Sequence, residues 1–221
     1  MKKVSLLFRL AGLLTLILMA AAYAFPAEAA HVASVLHLAG PDLSMHVASC
    51  VAVGNITSQD CGANPGGTVN LWVARRRDVA TIPPPGADGV TIAQPITMKT
   101  GKAFAKWEFT QDTGELTHKS VGDAGNKSVT KEVTTYVPRG NAQVDAEINK
   151  AINGDFIIIV EDGLGQKRIG GNLLRGMIFD HDYKSGKKGT DKNGTDFKFL
   201  GEGFSHVPYY YDAAIPVTAG V

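Results

Sequence analysis

The stretch Phe156–Gly171, FIIIVEDGLGQKRIGG, sets five apolar residues in a row before a loop with glycines at 163, 165, 170 and 171. A strand that runs into a glycine-rich, basic loop either opens a phosphate cradle or turns the chain. Spacing separates the two. A dinucleotide fingerprint needs G-x-G-x-x-G at the mouth of a helix, so that backbone N–H groups and the helix dipole meet the pyrophosphate. After Gly163 and Gly165 the next glycine is Gly170, and QKRIGGN carries no helical apolar period. A Walker loop needs Lys and Ser or Thr after its second glycine, where Gly171 and Asn172 stand here. The stretch therefore predicts a hairpin. Asp162 and Gly163 form its turn with positive φ, and FIIIVE and QKRIGG are its arms.

Working outward, the same period-two pattern recurs. TVNLWVA (68–74) places Val69, Leu71 and Val73 on one face. AFAKWEF (103–109) sets Phe104, Lys106 and Glu108 against Ala105, Trp107 and Phe109, and a turn at 111–114 leads to ELTHKSV as a second hairpin. KSVTKEVTTYVP (127–138) is rich in Val and Thr and ends at Pro138, and LLRGMIFDHDY and TDFKFLGEGF follow as strands. Lys192-Asn193-Gly194 reads as the turn of another hairpin, with Asn193 and Gly194 at its centre. VASVLHL (32–38) alternates weakly as a first strand, and about 39–67 is a long loop. TIPPPGADG (81–89) forbids helix and interior strand.

One segment of the body has helical period. In NAQVDAEINKAING, Val144, Ile148, Ala151 and Ile152 recur on one face, Asn141 is a fitting N-cap, and Gly154 follows the end. One helix at about 141–152 among about nine strands is a mainly β architecture, an antiparallel barrel or sandwich with a flanking helix. A hydrophobic helix at the N-terminus adds to it.

The chain has 221 residues and 44% hydrophobic content, enough for one cored domain, taken as residues 31–221. MKKVSLLFR, then 15 apolar residues, then FPAEAA make residues 1–30 either an export leader cut after Ala24 or Ala29, or a stretch upstream of the true start. The apolar run is short of the ~20 residues that a membrane span takes. Formal net charge is +1, and without Lys2, Lys3, Arg9 and Glu28 the body stands at −1. That balance argues against a surface devoted to nucleic acid. The basic cluster Arg75-Arg76-Arg77, followed by Asp78, reads as a solvated strand end.

No catalytic constellation emerges. Asp180-His181-Asp182 and His206 carry ligand or acid–base chemistry, yet neighbours on a strand point to opposite faces. GTDKNGTDF offers Asp191, Asn193 and Asp196 to calcium, with Glu202 at the twelfth position, but lacks the flanking helices of an EF-hand. Tyr209-Tyr210-Tyr211 reads as an edge that closes the core or meets a neighbour. No spacing calls for a cofactor or a metal. Cys50 and Cys61 are the two cysteines, and pairing would suit an exported chain.

The succession KWEFTQDTGELTHKSVGDAGNKSVTKEVTTYVP, NAQVDAEINKAINGDFIIIVEDGLGQKRIGG and KSGKKGTDKNGTDFKFLGEG resembles phage tail-tube and related virion structural proteins, over roughly residues 68–212. The likeness lies in the order of strands, one helix, the NGDFIIIVED stretch and the SG-x-x-G-T-D-x-N-G hairpin. It implies a β subunit that stacks into rings or tubes, with itself and other tail components as partners, in a virion, without enzymatic chemistry. TIPPPGADGVTIAQP would be an arm reaching to a neighbour. The leader and the Cys50–Cys61 loop depart from the pattern. They point instead to an exported, disulfide-containing surface or binding domain, periplasmic, cell-surface or extracellular. Under export, intact mass should show an N-terminus near Ala30 and a Cys50–Cys61 bridge; two free thiols in exported protein would contradict it.

Overall fold

The computed structural model describes residues 54–56 and 63–217. The leader, the expected first strand at 32–38, Cys50 and Cys61 lie outside the described residues. The fold below belongs to the unit Gln59–Val221. Its strands are β1 (Thr68–Arg75), β2 (Val79–Thr81), β3 (Thr91–Ile92), β4 (Thr97–Met98), β5 (Ala105–Trp107), β6 (Glu115–Val121) and β7 (Ser128–Pro138). Helix α1 (Ala142–Ala151) follows, then β8 (Asp155–Asp162), β9 (Lys167–Gly170), β10 (Met177–Lys184), β11 (Gly194–Phe204) and β12 (Tyr209–Tyr211). The protein is mainly β and sandwich-like, with one helix among the described residues.

Ten strands form one sheet, in the order β3-β12-β9-β8-β10-β11-β7-β6, with β1 on the other edge of β8 and β5 beyond β1. All its pairings are antiparallel except β12 with β3. The sheet is open but strongly curled. Its two flanks touch where Thr68 N–H donates to Gly114 O at 2.9 Å, a single bridge between β1 and the start of β6. A Cβ on Gly114 would lie 2.6 Å from the Phe109 ring and 2.9 Å from Thr68 Cβ, so this approach admits only glycine.

The run FIIIV becomes β8, which is buried on both faces. Phe156, Ile158 and Val160 enter a core with Leu71, Val73, Val133, Met177, Phe179, Phe197 and Phe199, onto which Ile148 and Ala151 of α1 pack. Trp107 meets Phe179, Phe197 and Phe199 there, with ring centroids 5.3–5.8 Å apart. Ile157 and Ile159 enter a second cluster on the opposite face with Ile92, Ile96, Phe104, Ile169 and Tyr211. Full burial of each such side chain contributes about 1.5–3 kcal/mol.

Several expectations change in detail. The segments around 105 and 115 do not pair with each other: β5 pairs with β1 and β6 with β7. The chain between them crosses from one flank of the sheet to the other. Val69 is 60% exposed, because a register shift between Thr68 and Asn70 against β8 turns it away from Leu71 and Val73. In the β8–β9 hairpin the positive φ, 77°, falls at Gly165, and the Asp162 carboxylate accepts from the N–H groups of Leu164 and Gln166. The turn is thus a longer loop fastened by an acidic side chain. Asn193-Gly194 is not a two-residue turn: residues 185–193 connect β10 to β11, and Gly194 pairs with Lys184 and Pro138 as the first residue of β11.

Asn141 caps α1 by accepting from Val144 N–H at 2.8 Å, while Ile152 lies beyond the last turn and is 44% exposed. The arginine cluster is a clasp rather than a solvated end. Arg75 donates to Lys150 O at the helix C-terminus, and Arg76 pairs with Asp155 and donates to Leu173 O. The proline segment packs on its own sheet, since Ile82 and Ile92 join the second cluster. Urea unfolding should show Phe199→Ala costing about 3–5 kcal/mol and Asn141→Ala about 1 kcal/mol. Losses below ~0.5 kcal/mol would contradict this placement.

Candidate functional site

The side of the β10–β11–β7–β6 sheet turned away from the core carries a charged face. Register sets Asp180 beside Lys198 and Asp182 beside Asp196, and it continues these rows to Thr134 and Tyr136 on β7. Like charges directly opposite each other destabilise a strand pair. Lys184 relieves this one, its ammonium 2.8 Å from Asp182 and 3.1 Å from Asp196. Hydrogen bonds to those carboxylates, Asp182 first, raise Lys184 above the ordinary lysine value. Lys198 pairs with Glu132 at 2.8 Å, and Lys192 lies over the Tyr136 ring. The face is concave, with a hollow of about 700 Å³.

Of the residues singled out in sequence, Asp182 and Asp196 meet at Lys184 and share the hollow with Asp180, while Asp191, Glu202 and His206 lie outside it. His181 stacks on Phe179, two residues before it on the core side of β10, while Asp180 and Asp182 face outward and are exposed. His206 lies beyond the far end of β11. Phe197, the register partner of His181, is separated from Phe204 by roughly 20 Å of strand. Asp191 accepts from the N–H groups of Lys187 and Lys188, which holds the loop, and Glu202 lies near the other end of β11 from Asp196. Among the described residues no three His, Cys, Asp or Glu side chains group as metal ligands.

The tyrosine run closes the fold. Tyr209 stacks on His206 with centroids 3.9 Å apart, and Tyr210 OH accepts from Arg168 at 2.7 Å. Buried Tyr211 accepts from Ile96 N–H and donates to Ala214 O, and burial raises its hydroxyl above the usual tyrosine value.

An unexpected polar group lies inside. Lys131 of β7 has no exposed surface, and its ammonium lies 4.3 Å above the Phe204 ring. His206 Nδ1 is 3.5 Å away, and no ion pair among the described residues engages the amine. Burial pushes it down to about 7. The signal was present in the alternation Val129, Lys131, Val133, Thr135, Val137, which puts a lysine in the apolar phase of the strand. Spacing motifs for catalysis do not register a single residue of this kind.

Compared with family models, with curated proteins and with solved structures, the chain matches none. Among the described residues no helix is long and apolar enough to cross a membrane.

Unfolding releases Lys131 to its ordinary value of 10.5, so the unfolded chain binds the extra proton between about pH 7 and 10.5. The wild-type protein therefore gains stability from this group as pH rises through that window. Below pH 7 the cost is complete, with an upper bound on the order of 5 kcal/mol. Lys131→Met should be the more stable protein at pH 7 by at least ~1 kcal/mol, a gain that fades toward pH 10.5. Equal stability of the two across that range, by urea unfolding, would contradict the burial argument.

Proposed function

We propose that the chain is a non-enzymatic structural subunit that assembles with copies of itself into rings or tubes, as its resemblance to phage tail-tube proteins implies. The supporting observation is an asymmetry in what covers the sheet. Behind β1, β8 and β9 the outer face is sealed by the chain's own residues 79–104 and its C-terminal segment. Outside β10, β11, β7 and β6 the charged face is bordered by Thr113 and Lys192 and left exposed at Asp180, Asp182 and Lys184, and among the described residues β6 pairs on one edge alone. A mixed-sign face and an unpaired strand edge suit lateral contacts with another protein, and a repeated contact between copies closes a ring or extends a tube.

On this reading the partners are further copies and other tail components, and the location is the virion. The proline segment belongs to the subunit itself rather than to an arm, because Ile82, Ile92 and Ile96 pack at home. The other reading, an exported surface or binding module with a Cys50–Cys61 bridge, takes the same bare face as a ligand surface.

Negative-stain images of purified protein should contain rings or tubes, and sedimentation should depend on concentration. A strictly monomeric species up to about millimolar concentration would sink the proposal, since assembly at any useful affinity appears well below that.

A further inference from the structure

Strand β6 runs ELTHKSV from Glu115 to Val121 and pairs only with β7 among the described residues. Beyond the bridge at Gly114 its outer edge leaves β1, and a groove of about 370 Å³ opens between it, residues 64–68 and the β8–β9 hairpin, so that the edge faces open space rather than a paired strand. Natural edges are usually blunted by charge, because a row of open N–H and C=O groups recruits any extended chain. The charges on this edge are placed in a particular way. Glu115, Thr117 and Lys119 lie on the outward face, in register with Thr134, Glu132 and Thr130 of β7. Glu115 and Lys119 are exposed, and neither enters an ion pair among the described residues.

We propose that β6 pairs antiparallel with β6 of a second copy about a two-fold axis through Thr117. Antiparallel pairing about residue 117 brings each residue opposite the one equally far on the other side. Glu115 then faces Lys119 of the second copy, and Lys119 faces its Glu115. Thr117 faces its own mate, as the two-fold demands. On the inward side, Leu116 meets His118. Directly opposed residues of opposite charge and paired threonines both favour an antiparallel pair, and a parallel or shifted register loses this match. The same charges repel a partner strand that carries like charges at these positions. The edge is therefore self-complementary, and the occupant it fits is another copy of this chain. The contact continues the sheet across the axis and leaves the charged face of β10 and β11 free for lateral contacts.

This inference rests on the self-association reading, and charge reversal separates the two. Glu115→Lys sets lysine against lysine at both ends of the pair, and Lys119→Glu sets glutamate against glutamate. Each single variant should weaken dimerisation by about tenfold or more in sedimentation velocity. Glu115→Lys/Lys119→Glu should return close to the wild type. A mixture of the two single variants should associate where neither does alone, because every opposed pair is then of opposite sign. Circular dichroism of each exposed-site variant checks that the fold is intact. If wild type associates and the reversals leave it unchanged, the β6 contact is overturned while self-assembly stands. Weakening by the singles without restoration in the double or the mixture overturns the two-fold register. A wild type that stays monomeric overturns both.

Discussion

Burial of β8 on both faces is the constraint from which the rest of the fold follows. Phe156, Ile158 and Val160 need cover on one side, and Ile157 and Ile159 need it on the other. The curled sheet and α1 supply the first, while residues 79–104 and the C-terminal segment supply the second. A strand sealed on both faces also needs neighbours on both edges. β1 takes one edge, and β9 and the start of β10 share the other. The sheet therefore branches at β8 instead of running as one ribbon. Removing the outer cover would expose two isoleucines that are fully buried, a loss of several kcal/mol at about 1.5–3 each.

Curvature then sets what remains open. The flanks meet at Thr68 and Gly114, where the absence of a side chain lets two strands and the Phe109 ring share one small space. Past that point β6 leaves β1, and the edge from Glu115 onward has no described partner. Closure by a single bridge thus produces both a compact core and an available edge. The same geometry separates the charged residues by role. Arg75 and Arg76 are spent on joining β1 to the end of α1 and the start of β8, while Asp180, Asp182, Asp196 and Lys198 stay on the outside.

The two sides of β7 show how one strand serves two surroundings. Glu132 faces outward and pairs with Lys198, so its charge remains in partial contact with water. Lys131, one residue earlier, faces the core, where its neighbours include an aromatic ring and an imidazole and, among the described residues, no carboxylate offsets its desolvation. Such a group costs stability at neutral pH, and the hydrophobic contacts around it must outweigh that cost.

Read alone, the sequence determined the mainly β class, the extent of α1 with its Asn141 cap, and the hairpin after β8, because period and turn chemistry are local properties. It also set Asp180 and Asp182 on the face opposite His181, since alternation along a strand depends only on residue number. Pairing partners were beyond it. The sequence order of AFAKWEF and ELTHKSV suggested a hairpin, yet ELTHKSV pairs with the next strand, β7, and AFAKWEF with the distant β1, where burying Trp107 against three phenylalanines outweighs proximity along the chain. The inward turn of Lys131 was legible as a phase in the alternation, but its depth depended on Phe204 and His206 arriving from about 75 residues away. Asp162 and Gly165, at the loop that opened the question of a phosphate cradle, show the same division. Composition announced a turn there, and only the packed hairpin decided which residue took the positive φ and which side chain fastened it, because backbone strain settles where tertiary contacts leave room for it.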